Sequence, residues 1–133
     1  MKMLFFLAVL LTTITTTAQK ISIKKDIAYL DDKEFLTLDG CGLFDNGCSY
    51  RNLKGEEIIF VTGADDPRDS RYRYSTVKFL GLNQTIEVRE TNKGIIKILV
   101  ANNAIDADGQ LDPEAVNRIV EKYGNEISYF RRY

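Results

Sequence analysis

The two cysteines are the first residues whose type and spacing indicate chemistry. Cys41 and Cys48 lie in a stretch rich in glycine and aspartate, and the chain has no other cysteine. Two thiols without histidine are too few for an ordinary zinc site, and their spacing is not that of a C-x-x-C redox pair. The pattern therefore predicts a structural disulfide, which in the chain-entropy model stabilises a loop of this length by about 2.5 kcal/mol.

The acidic run from Asp106 to Asp112 raises calcium binding as an alternative function. With Gly109 taken as the sixth position of a calcium loop, Asp106 and Asp108 fall on ligand positions. The twelfth position, which needs a bidentate glutamate, is Ala115. A polar connection between two helices that ends in Asp112 as an N-cap explains the same residues. We predict no metal and no cofactor, and weak calcium binding through Asp106, Asp108 and Asp112 stays an alternative.

A dense mixed-charge segment after Gly63 is the most polar part of the chain, and with Pro67 it is predicted to be a loop. Its charged residues are Asp65, Asp66, Arg68, Asp69 and Arg71. Mixed charges at close spacing are typical of a solvated surface, but recognition also concentrates on such loops. Tyr72 and Tyr74 follow on one strand face and would extend a binding surface if exposed, or cover the core margin if buried. Both interpretations of the segment stay open.

Histidine is absent from the chain, which excludes Ser-His-Asp and Cys-His catalysis and metal sites built on imidazole. No glycine-rich phosphate loop or dinucleotide motif is present. Because aspartates and glutamates are numerous, a small carboxylate-dependent hydrolase stays the enzymatic alternative. Nothing in the sequence identifies which two carboxylates would form its acid pair. A net charge of −1 gives no indication of nucleic acid as a partner. The sequence leaves enzymatic activity uncertain and favours a non-enzymatic protein.

The elements that position these residues are predicted to form one α+β domain, residues 19–133. Apolar alternation and turn residues predict antiparallel strands, with turns at 31–33, 54–55 and 80–83. Thr91 is predicted to cap a helix from Asn92, although residues 95–100 also suit a buried strand. Asp112, Pro113 and Gly124 mark a second helix, and the tail from Ile127 is predicted to be extended. The predicted architecture is a twisted antiparallel sheet with a C-terminal two-helix hairpin packed on one face.

Residues 1–18 have the three-part pattern of a cleaved secretory signal peptide. Lys2 precedes an apolar run from Leu4 to Leu11, and Thr16 and Ala18 are the small residues of a cleavage site. The apolar run is shorter than the roughly 20 residues that a membrane-spanning helix needs. We therefore expect a secreted or periplasmic protein without stable membrane insertion after cleavage.

Three segments carry a family resemblance: TAQK at the end of the signal, KGIIKILVANNAI, and LDPEAVNRIVEKYG. In this combination the chain resembles small exported proteins of Bacteroidetes-type bacteria, a group with no known activity. The resemblance implies export and a helix at residues 95–104, and it transfers no catalytic residue. We expect a binding or envelope-associated module whose partner is an envelope or extracellular protein.

Overall fold

The computed structural model describes residues 19–41 and 47–129, so the predicted signal peptide at residues 1–18 lies outside the described residues. Seven β-strands and three α-helices occupy this part of the chain. The strands are β1 Ile21–Lys24, β2 Ile27–Leu30, β3 Lys33–Asp39, β4 Cys48–Arg51, β5 Glu57–Asp66, β6 Asp69–Phe79 and β7 Gln84–Val88. The helices are α1 Asn92–Ala101, α2 Pro113–Tyr123 and α3 Glu126–Tyr129. None of these helices is long and apolar enough to cross a membrane.

The seven strands form one antiparallel sheet in which each strand pairs with its neighbours in sequence, from β1 to β7. The first two connections contain only two residues, Lys25-Asp26 and Asp31-Asp32, and all four have positive φ. Two consecutive positive φ angles define the type I′ turn, whose twist matches that of the flanking strands. The predicted turn at residues 31–33 is therefore confirmed, although Lys33 already belongs to β3.

The core lies between one face of the sheet and the helices. Across the sheet, Leu38 pairs with Tyr50, Tyr50 with Ile59, and Ile59 with Phe79, and all four side chains are buried. The buried residues that the helices contribute to the same cluster are Ile95, Ile96, Leu99, Val100, Ala115, Val116 and Ile119. Helix α1 contacts β1, and α2 contacts β7. The predicted α+β class is confirmed.

Both long helices begin at the predicted caps. The Thr91 side chain accepts a hydrogen bond from the Gly94 N–H at 3.2 Å, and Asp112 accepts one from the Glu114 N–H at 3.1 Å. Each cap satisfies one of the amides that a helix N-terminus leaves unpaired. The alternative of a strand at residues 95–100 is therefore wrong, because those residues belong to α1 and supply its buried stripe of Ile95, Ile96, Leu99 and Val100.

The described start of the tail differs from its prediction, because Glu126–Tyr129 is the short helix α3 and not an extended segment, and residues 130–133 lie outside the described residues. The backbone N–H of Ser128 donates to a carboxylate oxygen of Glu87 at 2.9 Å. Because Glu87 lies on β7, far away in sequence, local propensity gives no indication of this helix. The Glu87 N–H in turn donates to the Gly124 carbonyl at 2.9 Å, so the turn after α2 covers part of the β7 edge.

The predicted disulfide is confirmed. Cys41 and Cys48 are bonded, with 4.5 Å between their Cα atoms. The bond joins the residues that follow β3 to the first residue of β4, and the Cys48 side chain is part of the core cluster. It therefore closes the connection between two neighbouring strands and fixes that connection to the core.

Candidate functional site

The end of the β5–β6 hairpin projects beyond the strands beside it. β4 pairs with β5 as far as Val61, and β7 pairs with β6 as far as Ser75. Farther out, the described pairings of β5 and β6 are only with each other, and they continue to Asp66 and Asp69. We call residues 64–74 the hairpin arm. At about 3.3 Å per residue the arm extends roughly 15 Å past the neighbouring strands.

The prediction of a loop after Gly63 is wrong for most of that segment. The residues belong to β5 and β6, and only Pro67 and Arg68 connect the two strands. The pairing is irregular near the tip, because Asp65 pairs with Arg73 but Asp66 pairs with Asp69. The segment lacks a strand-like pattern because most of its side chains are polar and exposed, so it has no buried apolar face. At the tip, Asp66 accepts a hydrogen bond from the Arg68 N–H at 2.9 Å, the side-chain-to-backbone turn that aspartate favours.

Arg89 connects the body of the protein to the arm. Its Nε and Nη2 atoms both donate to the same Asp66 carboxylate oxygen, at 2.9 and 2.5 Å. Because Arg89 follows β7 and Asp66 ends β5, the Arg89 side chain must cross β6, which lies between them. By strand alternation, Arg89 and Tyr74 point away from the core. Tyr74 is only 5% exposed although it lies outside the core cluster.

Two carboxylates of the arm, Asp66 and Asp69, are held in their ionised form. The pKa of Asp66 lies below its ordinary value because of the hydrogen bond from the Arg68 N–H and, next, the hydrogen bonds from the Arg89 side chain. The pKa of Asp69 is lowered mainly by the Arg71 guanidinium, whose Nη2 lies 2.7 Å from the Asp69 carboxylate. A general acid in glycoside hydrolysis needs a raised pKa. These aspartates are therefore suited to orienting arginines and not to donating protons.

The outer part of the arm presents one aromatic side chain, Tyr72, and three cationic ones, Arg68, Arg71 and Arg73, to solvent. Tyr72 is 60% exposed, and the side chains of Arg71 and Arg73 are 82% and 67% exposed. Arg73 pairs with Asp65 across the hairpin at 3.3 Å. The guanidinium carbon of Arg71 lies 6.0 Å from the centroid of the Tyr72 ring, so these two side chains lie beside each other. Tyrosine and arginine are the residues most enriched at the energetically important centres of protein interfaces, together with tryptophan.

The structure brings the five charged residues predicted from the sequence into one set of pairs on the arm. Two further charged residues complete this set, Arg73 and Arg89, and the predicted Tyr72 lies beside Arg71. The two tyrosines predicted to share a strand face differ in exposure, because Tyr72 is exposed and Tyr74 is buried. The role of Arg89 has no local signal in the sequence, because its partner Asp66 lies 23 positions away. The two are brought together only by the order of the strands in the sheet.

In the acidic run at residues 106–112, the side chains of Asp106 and Asp112 accept hydrogen bonds from nearby backbone N–H groups. One oxygen of Asp106 accepts the N–H groups of Asp108 and Gln110, both at 2.9 Å, and Asp112 caps α2. Across residues 19–41 and 47–129, no group of three or more histidine, cysteine, aspartate or glutamate residues is arranged to hold a metal ion. The observed contacts are those of a connection between helices, and calcium binding stays an untested hypothesis.

An open depression of about 250 Å³ lies beside β7 and α2. Its wall combines acidic and basic side chains, namely Glu87, Arg89, Glu90, Lys122 and Glu126. Glu87 is 5% exposed and is bound by Ser128, while Arg89 is bound to Asp66. The Glu87 carboxylate is therefore already engaged by α3, and a carboxylate-dependent hydrolase stays an untested hypothesis.

Comparison of the chain with protein families, with curated proteins and with solved structures gave no match. The resemblance to exported Bacteroidetes-type proteins stays a hypothesis. The hairpin arm is the feature of the molecule from which a function can be inferred.

Proposed function

We propose that the chain is an exported, non-enzymatic binding module whose hairpin arm contacts an envelope or extracellular protein. The observation that carries the proposal is the 60% exposure of Tyr72 beside two exposed arginines, at the end of a projecting hairpin. An exposed aromatic side chain with two rotatable bonds can bury a large area at low entropic cost. Such a residue is suited to be the centre of a protein interface.

The contacts of the arm support this role because they limit its motion before any partner binds. Asp66 receives hydrogen bonds from the Arg68 N–H and from Arg89, and Asp69 receives them from Arg71. Binding costs conformational entropy whenever flexible groups are fixed, and a surface that is fixed beforehand avoids part of that cost. The arm therefore has the order that a recognition element needs.

Two observations support export to the periplasm or the medium. Residues 1–18 have the pattern of a cleaved secretory signal. The Cys41–Cys48 disulfide is typical of oxidising compartments outside the cytoplasm, where such bonds persist.

Site-specific photo-crosslinking in a producing cell tests the proposed binding surface. A photo-reactive phenylalanine analogue replaces Tyr72 in one variant and Leu53 in another. Leu53 is a matched control because it is 57% exposed and lies in the turn before β5, at the opposite end of that strand from the arm. We expect a discrete crosslinked protein from the Tyr72 position and none from the Leu53 position.

The same experiment can contradict the proposal in two ways. Absence of any crosslinked protein at Tyr72, in cells and in the medium, would show that the arm has no stable partner there. Identical crosslinked products from Tyr72 and Leu53 would show nonspecific contact. Mass analysis of the recovered protein, before and after reduction, also tests the cleavage after Ala18.

A further inference from the structure

We propose that the free edge of β1 binds an extended segment of a partner protein, with alternating apolar and acidic residues, as an eighth strand of the sheet. The proposal goes beyond the function of the hairpin arm, because three strands, β2 to β4, separate β1 from β5. It assigns a second binding surface and the chemistry of what that surface binds.

The two outer edges of the sheet differ. The β7 edge is covered in part, since the Glu87 N–H donates to the Gly124 carbonyl in the turn after α2. β1 is the first strand of the sheet, and its described pairings are with β2 alone. An edge strand presents a row of N–H and C=O groups with which another extended chain can pair. The β1 edge therefore has the geometry for adding a strand.

The β1–β2 register identifies the backbone groups that face this edge. In a two-residue hairpin the pair next to the turn is hydrogen-bonded, and bonded pairs recur at every second position. The bond from the Asp31 N–H to the Lys20 carbonyl, at 2.9 Å, belongs to this series. The N–H and C=O groups of Ile21 and Ile23 therefore point away from β2. None of these groups bonds to another element of the chain within residues 19–41 and 47–129.

The side chains of β1 alternate regularly between the two faces of the sheet. Ile21 and Ile23 pack against the core, whereas Lys24 is exposed, and the four β1–β2 pairs contain no register shift. A strand added to β1 continues this alternation. Every second side chain of the added strand would then lie on the core side, next to Ile21 and Ile23.

A depression of about 380 Å³ lies between the start of β1 and α1. Its lining is mainly aliphatic and consists of Ile21, Val100 and Ala101, with Gln19 and Lys97. Because α1 packs on the core side of the sheet, the core-side residues of an added strand lie next to this depression. An apolar side chain placed there removes the lining from water, so the core-side positions of the partner segment are apolar.

The charge around the β1 edge favours acidic residues at the other positions of the partner segment. Five lysines lie on or beside β1 and on α1, namely Lys20, Lys24, Lys25, Lys93 and Lys97. All five are exposed, and none forms an ion pair within the described part of the chain. Across residues 19–30 and 92–101 the only carboxylate is that of Asp26. A protein of net charge −1 therefore concentrates positive charge at this edge.

The same lysines distinguish a partner protein from the other chains that could reach the edge. Two copies of β1 brought edge to edge would bring their lysines together, which costs binding energy. Residues 1–18 contain no carboxylate and would leave the lysines unpaired. By alternation, Lys20 and Lys24 lie on the face away from the core. Acidic side chains of the partner that alternate with its apolar ones meet these two lysines.

Residue-resolved amide exchange, measured by NMR on protein recovered from producing cells, tests the inference. The main probe is an end-capped synthetic peptide of alternating valine and glutamate. A peptide of the same composition with valines and glutamates in separate blocks tests the alternation, and a valine-lysine repeat tests the sign of charge. The protein variants are Lys20→Gln/Lys24→Gln and the charge-matched control Lys54→Gln/Lys78→Gln, whose lysines are exposed in the turn before β5 and on β6.

At saturation the alternating peptide should slow exchange of the Ile23 amide at least about tenfold, because its N–H gains an acceptor. The Ser22 and Lys24 amides, which already pair with β2, should change less. The Lys20→Gln/Lys24→Gln variant should bind about fivefold more weakly than the native protein, as expected when two exposed ion pairs are lost. The control variant should bind as the native protein does.

Four results would overturn the inference. They are an unchanged Ile23 amide at saturating peptide, equal binding by the Lys20→Gln/Lys24→Gln variant, equal binding of the block peptide, and tighter binding of the lysine peptide. Protection of the Ile23 amide that rises with protein concentration, without any peptide, would also overturn it, because the occupant of the edge would then be a second copy of this chain.

Discussion

Glu87 and Ser128 connect the sheet to the last helix. The Ser128 N–H donates to one Glu87 carboxylate oxygen at 2.9 Å, and the Ser128 hydroxyl donates to the other. Glu87 is only 5% exposed although strand alternation places it on the face away from the core. Its burial therefore depends on α3, and α3 receives in return an acceptor for one of its first amides.

The first prediction concerns this connection. Ser128→Ala should lower the free energy of unfolding by about 1.5–3 kcal/mol, because it removes a hydrogen bond to a buried charged group. Urea denaturation measures the change, and Ser22→Ala is the control, because no hydrogen bond of the Ser22 hydroxyl occurs in the described residues. Equal stability of Ser128→Ala and the native protein would contradict a structural role for the contact.

The second prediction concerns Gly109, in the connection before α2. Its φ is +73°, and a Cβ atom there would lie 2.8 Å from Asn52 Cβ and 3.0 Å from the Phe35 carbonyl oxygen. Gly109→Ala should therefore cost about 1–2 kcal/mol for the left-handed backbone and a further 1–3 kcal/mol, roughly, for the close contact. Gly55→Ala is the matched control, because Gly55 has φ +80° and open space around it.

Only the backbone contribution should appear at Gly55, so the difference between the two variants isolates the contact with Asn52. Thermal or urea unfolding of both proteins measures it. An equal loss in the two variants would show that the connection moves away from Asn52 without cost.

The third prediction concerns the disulfide. Reduction of Cys41–Cys48 should lower the free energy of unfolding by about 2.5 kcal/mol, since the bond restricts the unfolded chain. Denaturation midpoints of the oxidised and the reduced, alkylated protein give the difference. A Cys41→Ser/Cys48→Ala variant controls for the bulk of the alkylating group. Unchanged midpoints in both samples would show that the bond contributes nothing to stability.

The sequence predicts the parts of the fold that depend on nearby residues. Thr91 and Asp112 cap helices, and Asp31-Asp32 forms a turn, because each acts on amides within a few positions. The disulfide is predictable for a similar reason, since its two cysteines are seven positions apart. The class α+β then follows from the order of strands and helices.

The candidate site depends on contacts that are distant in sequence, and it was predictable only in part. The charged residues from Asp65 to Arg71 are visible as a segment, but their high polarity indicates a loop. The structure instead shows strands, because pairing between β5 and β6 continues where the apolar pattern stops. Arg89 acts across an intervening strand, so no local pattern connects it with Asp66.

The fourth prediction concerns the stability of the hairpin arm at low pH. Hydrogen bonds from the Arg68 N–H and Arg89 lower the pKa of Asp66 below 3.8, its value without these contacts. Because the folded pKa is the lower one, the stability that the contacts provide is present above 3.8 and is lost as the pH falls through the folded pKa. Amide protection factors in the arm should therefore be constant between about pH 5 and pH 8 and should fall only in stronger acid.

Arg89→Gln separates this mechanism from general acid unfolding. The variant removes the guanidinium but leaves the Arg68 N–H, so the pKa of Asp66 should rise toward its ordinary value. Protection of the arm should then be lost at a higher pH than in the native protein, while protection of β3 and β4 should follow the native profile. Arg118→Gln removes the same charge from the exposed face of α2 and should leave the arm unchanged. If Arg89→Gln and Arg118→Gln lose arm protection at the same pH, the contact between Arg89 and Asp66 does not hold the arm.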